Sequence, residues 1–347
     1  MRALTVEPGL PNSIQLEDVP PPPASDGDIV VRAMALGICG TDREIIAGDY
    51  GWAPPGAKRL IIGHESLGRV EEAPAGSGFA RGDLVAGVVR RPDPVPCPAC
   101  AAGEWDMCHN GLYTERGIKQ RNGYGSEQFR LEHDFTIRID PSLEMLGVLL
   151  EPTSVVAKAW EHIERIGHRG AAWHPHVALI TGAGPVGLLA ALLAAQRGFE
   201  VHVLDRTQEG PKPALVRDLG ATYHVGDLGK LKPDVVVECT GASAVVIDVA
   251  CRTAPDGIVC LAGVSSGGRK IAFDVGAFNR TLVLENIVMF GSVNANLRHY
   301  RAAADALAKA DKDWLSRLIT RRVPLDRWKE AFERRPDDVK TVVDFTQ

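Results

Sequence analysis

Three side chains in the first third of the chain offer the donors of a metal site. Cys39 lies in GICGTD, and His64 and Glu65 lie in IIGHES. Both strings follow apolar runs. Thiolate, imidazole and carboxylate are ligand types that hold a tetrahedral zinc while one position stays open for substrate. Taken singly, each has a plainer reading. A buried cysteine packs as a small hydrophobe, and a His-Glu pair forms hydrogen bonds at a surface. Taken together beside a dinucleotide-binding pattern, they point to zinc-assisted chemistry. A second cluster follows. Cys97, Cys100 and Cys108 fall within twelve residues, with Cys-x2-Cys spacing. That spacing predicts a structural zinc, against a lobe that has lost its metal.

The third chemical pattern is Gly182-Ala183-Gly184-Pro185-Val186-Gly187, a G-x-G-x-x-G. The motif is weak alone. Here it follows an apolar run, HVALITG, and opens an apolar helical stretch, PVGLLAALLAAQRG. That is the context in which the first glycine makes a tight turn, the second lets backbone approach a pyrophosphate, and the third lets helix and strand pack closely. The next strand, EVHVLD, ends at Asp205, 18 residues after Gly187. An acid there bonds the adenosine ribose and repels a 2′-phosphate, which favours NAD. Arg206 follows directly and offers a phosphate contact, so NADP stays possible.

The elements needed to hold these groups are legible in outline. The first 150 residues are Gly- and Pro-rich and read as short strands, among them DIVVRAMALGI, LGRVEEA and DLVAGVVR. After Glu151 the pattern changes. SVVAKAWEHIERI has helical spacing, and strands then alternate with helices through DVVVECTG, AVVIDVACRTA, GIVCLAGV and NIVMFGSV. Such alternation predicts βαβ units and a parallel sheet. Cys239, Cys251 and Cys260 fall in this part and read as core packing. A helix, RAAADALAKA, and a strand, TVVDFTQ, close the chain.

Composition narrows the class. The chain has 347 residues, enough for about two domains, with 45% hydrophobic and 24% charged residues. A net charge of -5 leaves no basic footprint for nucleic acid. No apolar run approaches the roughly 20 residues of a membrane span, and MRALTVEPGL is a poor signal peptide. Seven cysteines with three clustered suit metal binding in a reducing compartment. The expectation is a cytoplasmic protein with no nucleic-acid or membrane partner.

GICGTD, GHES, the cysteine cluster and GAGPVG, in this order, resemble the medium-chain zinc-dependent alcohol dehydrogenase superfamily. VVRRP (88–92), YTERGI (113–118), GYGSE (123–127), LLEPTSVVAKA (149–159) and DVGAFNRTLVLENIVMFGSVNANLRHY (274–300) resemble its archaeal glucose dehydrogenase branch. The resemblance spans essentially the whole chain. It implies an α/β protein: a GroES-like, mostly-β catalytic domain (1–153), a Rossmann doubly wound parallel-sheet domain (154–292), and a return to the catalytic domain (293–347). It implies that Cys39, His64 and Glu65 hold the catalytic zinc, with Glu151 entering or leaving its shell. Thr41 would bond the reacting hydroxyl and start a proton relay, and Glu115 and Asn294 would hold sugar hydroxyls. Glu115 also reads as a salt-bridge partner of Arg116, and Asn294 as a turn residue. The superfamily's structural lobe uses four cysteines. The first is missing here, its place taken by Pro94, so Asp93, His109 or water is left as fourth ligand. The implied reaction is oxidation of an aldose at C1 to a lactone with hydride transfer to NAD(P), by a homodimer or homotetramer. The rival readings are a polyol, threonine or other secondary alcohol dehydrogenase, and a non-catalytic NAD-binding sensor.

Overall fold

The computed structural model describes residues 1–265 and 270–347. They form two compact units: Met1–Ser154 with Asn294–Gln347, and Val155–Val293. No helix among the described residues is long and apolar enough to cross a membrane.

The first unit is built on a seven-stranded sheet. Its strand order is Thr136–Arg138, Leu84–Gly87, Glu65–Glu72, Ile29–Gly37, Lys340–Asp344 and Ile319–Pro324, and Gln128–Leu131 pairs with the first half of Ile29–Gly37. Ile29–Gly37 lies in the middle, and all but two of its nine residues are buried. That explains why IVVRAMALG reads as one apolar run rather than an alternating one. Leu4, Val31, Leu36, Ile62, Phe129 and Val343 share its core, each worth about 1.5–3 kcal/mol of burial. The last strand returns from the far end of the sequence and pairs antiparallel, placing Val342 against Gly37. A separate small sheet joins Arg90–Arg91, Thr114–Arg116 and Gln120–Arg121.

The second unit is a six-stranded parallel sheet. Its order is Thr222–Val225, Glu200–Asp205, Val177–Thr181, Val235–Glu238, Ile258–Leu261 and Val288–Gly291. The order reverses direction at Val177–Thr181, the doubly wound arrangement whose switch point holds dinucleotides. The helix Pro185–Gln196 leaves that strand and buries eight of its twelve residues. Two elements escape the sequence reading. Thr222–Val225 is a sheet edge with no buried residue, and the helix Val275–Leu284 buries none either. Neither presents the apolar period that pattern reading needs. The reading of the last three cysteines is corrected in part. Cys260 is buried in a strand, but Cys239 is only partly buried and Cys251 is exposed.

Candidate metal and coenzyme sites

Cys39 is the N-cap of the helix Gly40–Ala47. Its backbone N–H donates to Asp42 Oδ2 at 2.8 Å, which fixes the thiol at the helix start. His64 ends the turn before the strand Glu65–Glu72, and Glu65 pairs in register with Gly37. Gly37 is required there, because a Cβ would lie 2.0 Å from Glu65 Oε2. The ligand atoms of Cys39, His64 and Glu65 all lie within 4.8 Å of one another. Two further groups complete the surroundings. Asp42 Oδ1 lies 3.5 Å from His64 Nδ1. Lys340, on the last strand, forms an ion pair with Glu65 Oε2 and donates to Ile38 O at 3.2 Å.

The residues fit a cation. His64 Nδ1 and Asp42 Oδ1 are buried yet neither makes a hydrogen bond, a costly state for groups out of water. Burial alone would lower the His64 imidazole. The Asp42 and Cys39 side chains override that and hold it well above its ordinary value, so the site favours positive charge. A metal ion on the other ring nitrogen would fix the tautomer and aim Nδ1–H at Asp42. Glu151 is buried beside this group, though outside it. Burial pushes its carboxyl up to about 7, Glu65 and Asp42 push the same way, and His64 and Lys340 oppose them. Thr41 is half-buried on the first helical turn, and its hydroxyl bonds to no described residue.

Glu115 is buried, and its partner is Arg90 rather than Arg116. Glu115 Oε1 accepts from Arg90 Nε at 3.0 Å and from Asn294 Nδ2 at 3.0 Å. Neighbours in a strand point to opposite faces, so Arg116 turns away and meets Glu132. Asn294 has φ +61 and accepts the Ala295 N–H on its own Oδ1. It is a turn residue and a Glu115 partner at once. The YTERGI and GYGSE strings also brace the turn that leads to His64. A Cβ on Gly117 or Gly123 would lie 2.3 Å from the Gly63 carbonyl oxygen, one residue before His64.

The cysteine lobe is local. Cys97 caps the short helix Pro98–Ala101, and its sulfur accepts from the Cys100 and His109 backbone N–H groups at 3.5 and 3.3 Å. Those donors lower the Cys97 thiol to about 6, while burial pushes Cys100 up to about 11. The three sulfurs cluster within 4.8 Å, and no fourth Cys, His, Asp or Glu among the described residues joins them. Asp93 does not supply a ligand in this arrangement. Its oxygens accept from the Val95 N–H at 2.9 Å and from Asn110 Nδ2 at 2.8 Å, so it pins the loop. His109 contributes its backbone, and its side chain is exposed.

In the second unit, the glycine loop has the expected geometry. Gly182 has φ +86, a Cβ at Gly184 would meet nothing within 4 Å, and one at Gly187 would lie 1.7 Å from Gly182 O. Open space at the second glycine and forced contact at the third suit a pyrophosphate on the N-terminus of the Pro185–Gln196 helix. Pro185 and Val186 form its first turn. Gly182, Asp205, Arg206, Lys212, Cys239 and Thr240 line one cavity of about 500 Å³.

Comparison with known proteins places the chain in a family. The model of the alcohol dehydrogenase GroES-like domain matches residues 25–141, and that of the glucose dehydrogenase C-terminus matches residues 144–345. The chain is 39% identical to glucose 1-dehydrogenase 1 of Caldivirga maquilingensis, over 99% of both chains. It belongs to the zinc-dependent alcohol dehydrogenase superfamily, in the glucose dehydrogenase branch. Glucose 1-dehydrogenase of Methanocella arvoryzae is 38% identical, again over 99% of each. Haloferax mediterranei glucose dehydrogenase, solved in complex with NADP, Zn and gluconolactone, superposes with a TM-score of 0.91 at 32% identity, over 100% of both chains.

Four residues around the branch's site motifs escape the sequence reading: Gly37, Asp42, Arg90 and Lys340. Asp42, two residues past GICG, follows a capping pattern that could have drawn attention to it. The other three are recognisable only once the strands are paired.

Proposed function

We propose that this protein oxidises the C1 hydroxyl of an aldose, glucose or a close relative, to the lactone, with hydride passing to NAD or NADP. The observation that carries the reading is the clustered Cys39, His64 and Glu65 donor set, with Cys39 half-buried and the other two buried. Bound there, zinc would act as a Lewis acid that makes the substrate hydroxyl easier to deprotonate. Thr41, with an unengaged hydroxyl two residues from Cys39, accepts a hydrogen bond from the reacting hydroxyl and relays its proton onward to solvent as it gives up its own. Glu115 and Asn294 hold sugar hydroxyls, with Arg90 fixing the Glu115 carboxylate. Glu151 is a carboxylate in reserve beside the ligands. In the other unit, Gly182, Gly184 and Gly187 with the first turn of the following helix hold the pyrophosphate, and Asp205 and Arg206 flank the adenosine. Residues 1–153 and 293–347 act as the catalytic domain and 154–292 as the coenzyme domain.

The cysteine lobe takes a structural zinc on Cys97, Cys100 and Cys108, with water as fourth ligand. The protein works as a homodimer or homotetramer. Among the described residues, strand Val288–Gly291 pairs on one side only, and Val275, Val283 and Leu284 nearby are exposed, an edge that suits a second copy. Seven unpaired cysteines suit the cytoplasm.

A kinetic screen tests this reading. Aldoses, polyols, threonine and simple alcohols are assayed with NAD and NADP on a sample of measured metal content. The expected result is a kcat/KM for an aldose at least about tenfold above every non-sugar alcohol, in protein that holds zinc. An active enzyme free of metal, or one that prefers a non-sugar alcohol, would overturn it.

A further inference from the structure

Glu115 and Asn294 stand 179 residues apart in the chain, yet both are tied to one buried acid, Asp106. Asp106 lies in the short turn Trp105–Met107, between Cys100 and Cys108, and is 4% exposed. Its carbonyl oxygen accepts from Arg90 Nη1 at 3.2 Å, and its Oδ1 accepts from Asn296 Nδ2 at 2.7 Å. Arg90 donates from Nε to Glu115 Oε1 at 3.0 Å. Asn296 follows Asn294 by two residues, and Asn294 Nδ2 donates to the same Glu115 oxygen at 3.0 Å. The contacts close a ring that runs from Glu115 through Arg90, Asp106, Asn296 and Asn294 back to Glu115.

The ring is dry. Arg90, Glu115 and Asn296 are buried like Asp106, so each bond in it is strong and a lost partner is costly. Each member also has its plane or direction fixed by a further contact. The Arg90 guanidinium carbon lies 3.7 Å from the centre of the Tyr113 ring. Asn296 caps the helix Leu297–Lys309, its Oδ1 accepting from the Arg298 N–H at 3.1 Å, which leaves Nδ2 to reach Asp106. The turn that carries Asp106 has anchors apart from the cysteines. The Trp105 ring lies 5.3 Å from that of Phe135, and Glu104 pairs with Arg298 at 3.2 Å. The donors converge on Glu115 Oε1, and no described residue donates to Oε2, which leaves that oxygen for a substrate hydroxyl.

We propose that Asp106 is a positioning residue for the sugar. Buried itself, it sets the separation of Glu115 and Asn294 by holding Arg90 through its carbonyl and Asn296 through its carboxylate. This rests on the reading of Glu115 and Asn294 as the sugar-holding pair.

Steady-state kinetics with glucose at saturating coenzyme test it, on the wild type, Asp106→Ala, Asp106→Asn, Glu115→Ala and the double variant Asp106→Ala with Glu115→Ala. Asp106→Ala takes the acceptor from Asn296 and should raise the glucose KM about tenfold, with kcat within about threefold and NADH affinity within about twofold. Asp106→Asn keeps an oxygen for Asn296 and should recover most of the loss. In the Glu115→Ala background the further rise should stay below about threefold, because residues that act through one another are not additive. A merely structural role would lower Tm and leave that coupling at zero. Should Asp106→Ala fail to fold, Asn296→Ser breaks the same bond from the other side while its hydroxyl keeps the helix cap, and the same shift in KM is expected. An unchanged KM in whichever of these variants folds, or a full tenfold rise on top of Glu115→Ala, overturns the role of Asp106. A Glu115→Ala protein with the wild-type KM strikes the sugar assignment itself, and this role with it.

Discussion

The two cysteine-bearing clusters of the first unit are built in opposite ways. The lobe draws Cys97, Cys100 and Cys108 from one loop and one short helix, with backbone N–H groups steadying the sulfur. Its shape is a local property of twelve residues. The mixed cluster draws Cys39 from a helix cap, His64 and Glu65 from a strand start, and Lys340 from the closing strand of the sheet. Its shape depends on strands that pair across the whole sequence. A local thiolate cluster can clamp a loop and do little else. A cluster assembled by the core can place unlike groups, a thiolate, an imidazole and a carboxylate, at fixed separations, which is what chemistry on a substrate needs.

The contrast breaks most sharply at Lys340. In protein stripped of zinc, Lys340→Met leaves the Glu65 carboxylate buried without its cation, and the expected loss is about 3–5 kcal/mol by urea denaturation. Adding Glu65→Gln should recover part of it, because no unpaired charge remains. A Lys340→Met protein as stable as the wild type would mean that the ion pair contributes little to the fold. Next in size is His64→Ala. It should lower kcat by at least about a hundredfold and remove one zinc per chain. NADH affinity should stay within about twofold, since the glycine loop belongs to the other unit. Retention of full activity by His64→Ala would remove the mixed cluster from catalysis. Smallest is the lobe. Cys100→Ser should also remove one zinc and lower Tm by about 5 °C, while kcat/KM changes by less than about threefold. An unchanged zinc content there would show a lobe without metal, and a large loss of kcat would erase the division between the two clusters.

The same division explains what could be read without a structure. Cys97-x2-Cys100 and the Gly182 loop are local, so spacing alone exposed them. The long strand Ile29–Gly37 and the helix Pro185–Gln196 are buried nearly throughout, and each shows as a plain apolar run. The donors Cys39, His64 and Glu65 were legible by type, but their neighbours were not. Gly37 leaves room for Glu65, and Lys340 neutralises it, only because two strands pair with Ile29–Gly37 in one register. Adjacency offers Arg116 as the alternative partner of Glu115, whereas strand alternation gives it Arg90. Asp93 was one of three alternatives for the fourth place in the lobe, and both its oxygens serve the loop. Asp205 looked like a ribose receptor by position, and Lys212 became visible only when the turn after the strand had folded back on it.

Hydride transfer from C1 of an aldose to the nicotinamide can be followed with labelled substrate. Glucose carrying deuterium at C1 is turned over with NAD or NADP, and both products are analysed by mass spectrometry. The expected products are a reduced coenzyme one mass unit heavier and a lactone free of deuterium. Deuterium retained in the oxidised sugar, with unlabelled reduced coenzyme, would place the reaction at another carbon and contradict it.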